Sequence, residues 1–150
     1  MATKKTDHDG FSNEEKAAMK ARAAELRAEK AKAAKADPEG AFRAAIDELP
    51  ADEAQMAKRL DTIVRGAGPS LQPKTFYGMP AWALPGKGGK VVCFFQAASK
   101  FGVRYHTFGF QEAAQLDEGT FWPTSYALTE LTPAVEDPIR ALVEGATRAR

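Results

Sequence analysis

The sequence predicts an α+β domain: an antiparallel sheet of about four to five strands packed against N- and C-terminal helices, preceded by an exposed N-terminal helix. Three observations predict it. Twelve of the fourteen aromatic residues lie between Phe76 and Tyr126, and aromatics favour a pleated, half-buried surface. Apolar residues at helical spacing flank that stretch on both sides. The strand-like segments are also grouped rather than alternated with helices, which separates α+β from α/β.

Residues 1–36 hold nine Lys/Arg against six Asp/Glu, a net of +3, while the remaining residues hold twelve against fourteen, a net of −2. Ser12 with Glu15 forms an S-x-x-E capping box, and Ala, Lys, Glu and Arg dominate through Ala36. Met19 and Leu26 are the only apolar side chains in this helix larger than alanine. One per two turns is too thin a stripe to dock firmly. Residues 1–36 are therefore read as a charged, mostly exposed, fraying helical extension, and residues 37–150 as the α+β domain.

Asp37-Pro38 gives an N-cap with proline at the first helical position. Phe42, Ala45, Ile46 and Leu49 then mark one face of a short helix. Pro50 restarts the pattern, and Met56, Leu60, Ile63, Val64 and Ala67 mark a second helix, which Gly66-Ala-Gly68-Pro69 stops. A first strand is expected over Thr75–Met79, with Pro80 confining any continuation to an edge or bend. Pro85-Gly-Lys-Gly-Gly89 reads as a hairpin loop. Lys90–Ala97 is apolar on both alternating faces, the mark of a central strand. Ser99–Gly102 turns the chain, Val103–Phe110 follows as a strand, Glu112–Leu116 as a helical turn or two, and Tyr126–Leu131 as the last strand. In the C-terminal helix Val135, Ile139, Leu142, Val143 and Ala146 share a side. Thr132-Pro133 and Asp137-Pro138 are both cap-plus-proline starts. Because a proline inside a helix removes a hydrogen bond, ordered helix is expected from Pro138, with a variable turn before it.

Composition bounds the function only broadly. A length of 150 residues with 44% hydrophobic and 27% charged residues suits one globular domain. A net charge of +1 gives no electrostatic case for nucleic acid or a membrane surface. The single cysteine cannot form an internal disulfide, the polar start lacks the apolar run of a signal peptide, and no stretch is long enough to span a bilayer. These features place the chain in the cytoplasm.

Each candidate for chemistry has a plainer reading. Gly86-Lys-Gly-Gly89-Lys90 matches no phosphate-loop pattern and precedes a strand, so it is a flexible hairpin. Cys93 sits mid-strand and reads as a buried, inert thiol. His106 is the only histidine apart from His8, and by alternation it shares a face with Arg104, Phe108 and Phe110. Zinc needs three or four ligands, and the chain offers no Cys/His cluster. Asp52-Glu53, Asp117-Glu118 and Glu136-Asp137 are the carboxylate pairs that helix starts favour without a ligand. The remaining candidate is the aromatic group around Lys74–Trp82. Tyr and Trp carry polar tips and often line clefts, so Tyr77, Met79, Trp82, Tyr105, His106 and Trp122 are the candidate ligand-binding groove.

Pro73-Lys-Thr-Phe-Tyr-Gly-Met-Pro-Ala-Trp82, followed by Lys90-Val-Val-Cys-Phe-Phe-Gln96, resembles the YdhG-like family, a bacterial domain of unknown function. Its members carry a Tyr-x-Met-Pro-x-aromatic motif leading into a β-hairpin. The resemblance covers residues 40 to 148; longer members share the Phe11-Ser-Asn-Glu-Glu opening and Trp122-Pro-Thr-Ser-Tyr-Ala-Leu128. Some members are labelled frataxin-like iron chaperones, which implies cytosolic iron binding through surface carboxylates. The family has no agreed catalytic residues, and no residue transfers as an iron ligand. The expected function is thus a non-catalytic binding protein for a small molecule, metal or protein, iron-chaperone-like by resemblance. The alternative is an adaptor docking a protein or nucleic-acid partner through residues 12–36. An enzyme using His106 ranks last.

Overall fold

The computed structural model describes residues 12–32, 37–86 and 88–148. The N-terminal tail with His8, residues 33–36 of the charged extension and Lys87 of the glycine loop lie outside them. Ten elements follow in order: α1 (Asn13–Lys32), α2 (Pro38–Asp47), α3 (Ala51–Ala67), β1 (Gln72–Phe76), β2 (Met79–Ala83), β3 (Val91–Gln96), the single turn α4 (Ala98–Phe101), β4 (His106–Phe110), β5 (Ser125–Leu128) and α5 (Pro133–Ala146). The five strands form one antiparallel sheet in sequence order, β1-β2-β3-β4-β5. This is the α+β architecture that the grouped aromatics predict. No described helix is long and apolar enough to cross a membrane.

The first strand is displaced from its expected position. Thr75–Met79 is not one strand: it is broken by a tight turn at Tyr77-Gly78, which joins β1 to β2. Tyr77 has φ +55° and Gly78 φ +79°. Positive φ at both central residues is what a type I′ hairpin turn requires, because that turn matches the strands' twist. Glycine takes this conformation freely, whereas a tyrosine there is strained. Pro80 sits inside β2 opposite Thr75, and Lys74 faces Ala81.

The turn decides which residues face which layer. Side chains two apart on a strand share a face. Trp82 pairs with Cys93 on β3, which pairs with Phe110 on β4, and Phe95 pairs with Phe108. These side chains point to the helix layer, where Phe42 of α2 meets the Trp82 ring edge-on at 5.6 Å. Phe42 and Ile46 of α2, and Ala57, Leu60, Ile63 and Val64 of α3, complete this core with Ile139 and Val143 of α5. Phe76, Met79, Phe94, Gln96 and Thr107 belong to the opposite face of the sheet. There Phe94 lies across Gly109, where an added Cβ would run into the ring. Glycine in β4 thus makes room for an aromatic on the neighbouring strand.

Two helices depart from expectation. Ordered helix begins at Pro133, not Pro138, and Pro138 lies inside it. The first turn is held by tertiary contacts: Val135 packs on the core, and Arg59 of α3 grips Glu136 through Nε and Nη2 at 2.8 and 2.7 Å. These contacts offset the one hydrogen bond that Pro138 removes. The Glu112–Leu116 segment is a series of turns and bends, not a helix. The Arg59 fork holds the Glu136 carboxyl below its ordinary value of 4.5. A depressed carboxyl contributes stability that is present above its unfolded value and lost as pH falls through the folded one. Arg59→Ala should therefore flatten the acid-side loss of stability, checked by urea unfolding at about pH 6 and about pH 3.

The N-terminal helix is mostly exposed, as predicted, but it is docked. Ala18, Ala21, Arg22 and Glu25 lie at i, i+3, i+4 and i+7, one face of α1. Ala18 is buried. The Arg22 guanidinium lies 5.1 Å from the Phe76 ring centre and 5.8 Å from that of Tyr77. Glu25 accepts hydrogen bonds from the Tyr77 and Gly78 backbone N–H groups, each at 3.2 Å. Met19 and Leu26, whose sparse stripe predicts weak docking, are 44% and 45% exposed. The docking stripe is small and polar instead.

Candidate functional site

The six candidate groove residues do not line one cavity. Trp82 is fully buried on the helix side, and its indole Nε1–H donates to Asp61 Oδ1 at 2.9 Å. Asp61 also accepts from Arg65 Nε at 2.6 Å, and Arg65 reaches Glu39 as well. Trp82 is therefore a core residue whose polar tip is already satisfied.

His106 faces the same layer, beside the Phe95 ring. Its Nδ1 accepts the Ala98 backbone N–H at 2.9 Å. Because a backbone N–H can only donate, Nδ1 bears the lone pair and the neutral ring carries its proton on Nε2. Glu53 Oε2 lies 3.8 Å from that same Nδ1, but with the position already accepting, the pair is not an ion pair. Arg104 does not share this face, because residues 103–105 lie outside the strand, which starts at His106.

Glu53 reads from sequence as a solvated helix-start acid, yet it is buried. Its carboxylate accepts both the Ser99 N–H, at 3.1 Å, and the Ser99 hydroxyl. Serine, histidine and glutamate thus meet without forming a nucleophile–base relay, since the serine proton goes directly to the carboxylate. Burial also raises the Cys93 thiol well above its ordinary range. In the native protein Cys93 should resist a thiol-specific disulfide reagent and react on unfolding, measured by thiolate release. Among the described residues, no group of three His, Cys, Asp or Glu side chains is placed to hold a metal ion.

The open face of the sheet gathers the other candidates. Tyr77 and Met79 line a depression of about 250 Å³ together with Glu15, Ala18, Met19, Gln96 and Phe101. Tyr105 lines a second, of about 470 Å³, with Gln96, Val103, Arg104 and Thr107. The two share Gln96, which pairs from β3 with Thr107 on β4. Trp122 is half-buried in the β4–β5 connection and lines neither depression.

Polar ends on this face are uncommitted. Among the described residues, the side chains of Tyr77, Gln96, Lys100 and Tyr105 make no hydrogen bond or ion pair, and Arg104 only stacks on Tyr105 at 5.1 Å. Roomier depressions lie elsewhere, at about 730 Å³ between α2 and α3 and about 790 Å³ beside α5. In the first, Arg43, Arg65, Glu39 and Asp61 neutralise one another. The second involves none of the six candidates.

Sequence reasoning missed Gln96, Arg104 and Thr107 as site residues. A usable signal for the first existed: Gln96 is the one side chain with a strongly polar end in the apolar run Val91–Gln96. Glu53–Ser99 had no local signal, because its members stand 46 residues apart. No family model, curated protein or solved structure matches the chain.

Proposed function

We propose that the chain is a non-catalytic binding protein of the YdhG-like type, taking a small polar ligand on the open face around Gln96. The observation that carries the reading is the set of uncommitted polar ends at two adjoining depressions, Tyr77, Gln96, Arg104 and Tyr105. Concave sites with a few convergent polar groups among apolar ones are what small ligands use. The strained backbone of Tyr77 supports it, since left-handed non-glycine residues cluster at functional sites. Ser99 and His106 are committed to structural hydrogen bonds, and the Cys93 thiol is sealed in the core. This favours binding over covalent catalysis.

The ligand class follows from the donors: amide, phenol and guanidinium beside apolar rings suit a planar molecule with a carboxylate or carbonyl. The iron-chaperone version draws on the family resemblance alone. Screening an aromatic-acid fragment set by two-dimensional amide NMR tests the main reading. Saturable shifts at Gln96, Tyr105 and Thr107, lost in Gln96→Ala, are expected. Shifts confined to the α2–α3 groove, or none, contradict it. Anaerobic Fe(II) titration tests the iron version separately: saturable binding supports it, and its absence removes it.

A further inference from the structure

The strip of sheet beneath α1 adjoins that ligand site, sharing Tyr77 and Ala18 with it, and has a binding capacity of its own. It presents three features: two backbone N–H groups at the Tyr77-Gly78 turn, the Phe76 and Tyr77 rings, and a close-approach point at Gly78. The turn donates both N–H groups to one carboxylate, that of Glu25. An αL–αL turn that offers successive N–H groups is a receptor for an anionic oxygen pair. At Gly78, an added Cβ would lie 3.4 Å from the Ala21 methyl and 3.5 Å from Lys100 Nζ. Only a small residue on the helix fits there.

Among the described side chains, α1 meets these features with Ala18, Ala21, Arg22 and Glu25, and it also touches α4. Its larger apolar residues, Met19 and Leu26, are nearly half exposed. One nitrogen of Arg22, Nη1, is buried without a hydrogen bond and stands 3.6 Å from Glu25 Oε1, within ion-pair range but beyond bonding distance. Among the described side chains the interface holds one buried methyl group, one carboxylate clamp, the Arg22 stack on Phe76 and Tyr77 and one donor without a hydrogen bond. That is little apolar area for a helix whose docking rests chiefly on it. The sheet side, by contrast, is well supported: the Phe76 ring meets those of Phe94 and Tyr77 at 5.7 and 4.7 Å.

We infer that this strip is a helix-docking site whose resident helix, α1, is displaceable, and that it accepts the same helix from a second copy of this chain, with its small residues at i and i+3 and its acidic residue at i+7. The acid seats on the Tyr77-Gly78 N–H pair, beside Lys100, and the small residues pass over Gly78. Displacement leaves the helix-side core in place, because α1 packs on the opposite face of the sheet.

The test uses the full chain with the resident helix disabled. Glu25→Lys removes the clamp and places a cation against two N–H donors and Lys100. Ala18→Glu removes the buried methyl without touching the turn, and serves as the second variant. A fluorescently labelled peptide of residues 12–32 is titrated in trans and read by anisotropy, with circular dichroism confirming that each variant is folded. Saturable binding to both variants, roughly tenfold or more tighter than to the wild-type chain, whose site is occupied, is expected. The same peptide carrying Glu25→Lys should not bind. Equal binding to variants and wild type, equal binding of the two peptides, or no binding to either variant overturns the inference.

Discussion

Truncating Trp82 to alanine should lower the free energy of unfolding by about 3–5 kcal/mol, the usual cost of deleting a large buried ring. The side chain is fully buried and is the largest in the core. It bridges α2 through Phe42, and β4 through Phe108 at 6.4 Å. Its removal leaves a cavity between sheet and helices that backbone on both sides prevents from collapsing. Asp61 would lose one donor but keep Arg65, so little of the loss comes from that carboxylate. Trp82→Phe keeps most of the ring contact and should cost less than half as much. Urea unfolding followed by far-ultraviolet circular dichroism measures both variants. If Trp82→Ala cost no more than an exposed substitution, the assignment of Trp82 to the core would be wrong.

Replacing Glu53 with alanine should be the next most damaging change. Its carboxylate satisfies the backbone N–H and hydroxyl of Ser99 from a buried position. Leaving buried donors unpaired costs about 1–3 kcal/mol. The loss should be local as well as global, because Glu53 ties the start of α3 to α4 across 46 residues. Ser99→Ala removes only one of the two donors, so it should cost about 1 kcal/mol. The double variant should cost less than the sum of the two, since both remove the same hydroxyl bond. Additive losses in such a cycle would show that the two side chains do not interact.

The fold class is legible because its signals are local. The run Lys90–Ala97 is apolar on both faces, and β3 indeed occupies the middle of the sheet. The Asp37-Pro38 start is present as read, with Asp37 Oδ1 accepting the Gly40 N–H at 3.1 Å. The hairpin at Tyr77-Gly78 escapes a reading of the sequence because type I′ turns are signalled by Asn-Gly or Asp-Gly, and a tyrosine in that place looks like strand. The consequence reaches the site. Tyr77 and Trp82 are grouped from sequence by their polar tips alone, whereas the sheet separates them: Trp82 enters the helix-side core and Tyr77 stands at the hairpin tip on the α1 side.

Tertiary contacts explain the other differences. Helix α5 starts early because Arg59, 77 residues away, holds Glu136. The N-terminal helix docks through alanines and a carboxylate, which no hydrophobic stripe advertises. Alternation places His106 correctly with Phe108, but its ring nitrogen serves the Ala98 backbone. Gln96 is the residue on which the two depressions converge, and only the pairing of β3 with β4 sets it beside Thr107.

The ligand face and the helix-docking strip both depend on α1 lying against the hairpin tip. Amide hydrogen exchange at Tyr77 and Gly78, compared between the wild-type chain and Glu25→Ala, tests this most directly. Glu25 accepts both protons, and the tip of a hairpin otherwise exposes them to water. Both amides should exchange at least roughly tenfold faster in the variant, with β3 and β4 amides unchanged. Equal exchange at Tyr77 and Gly78 in the two proteins would contradict it.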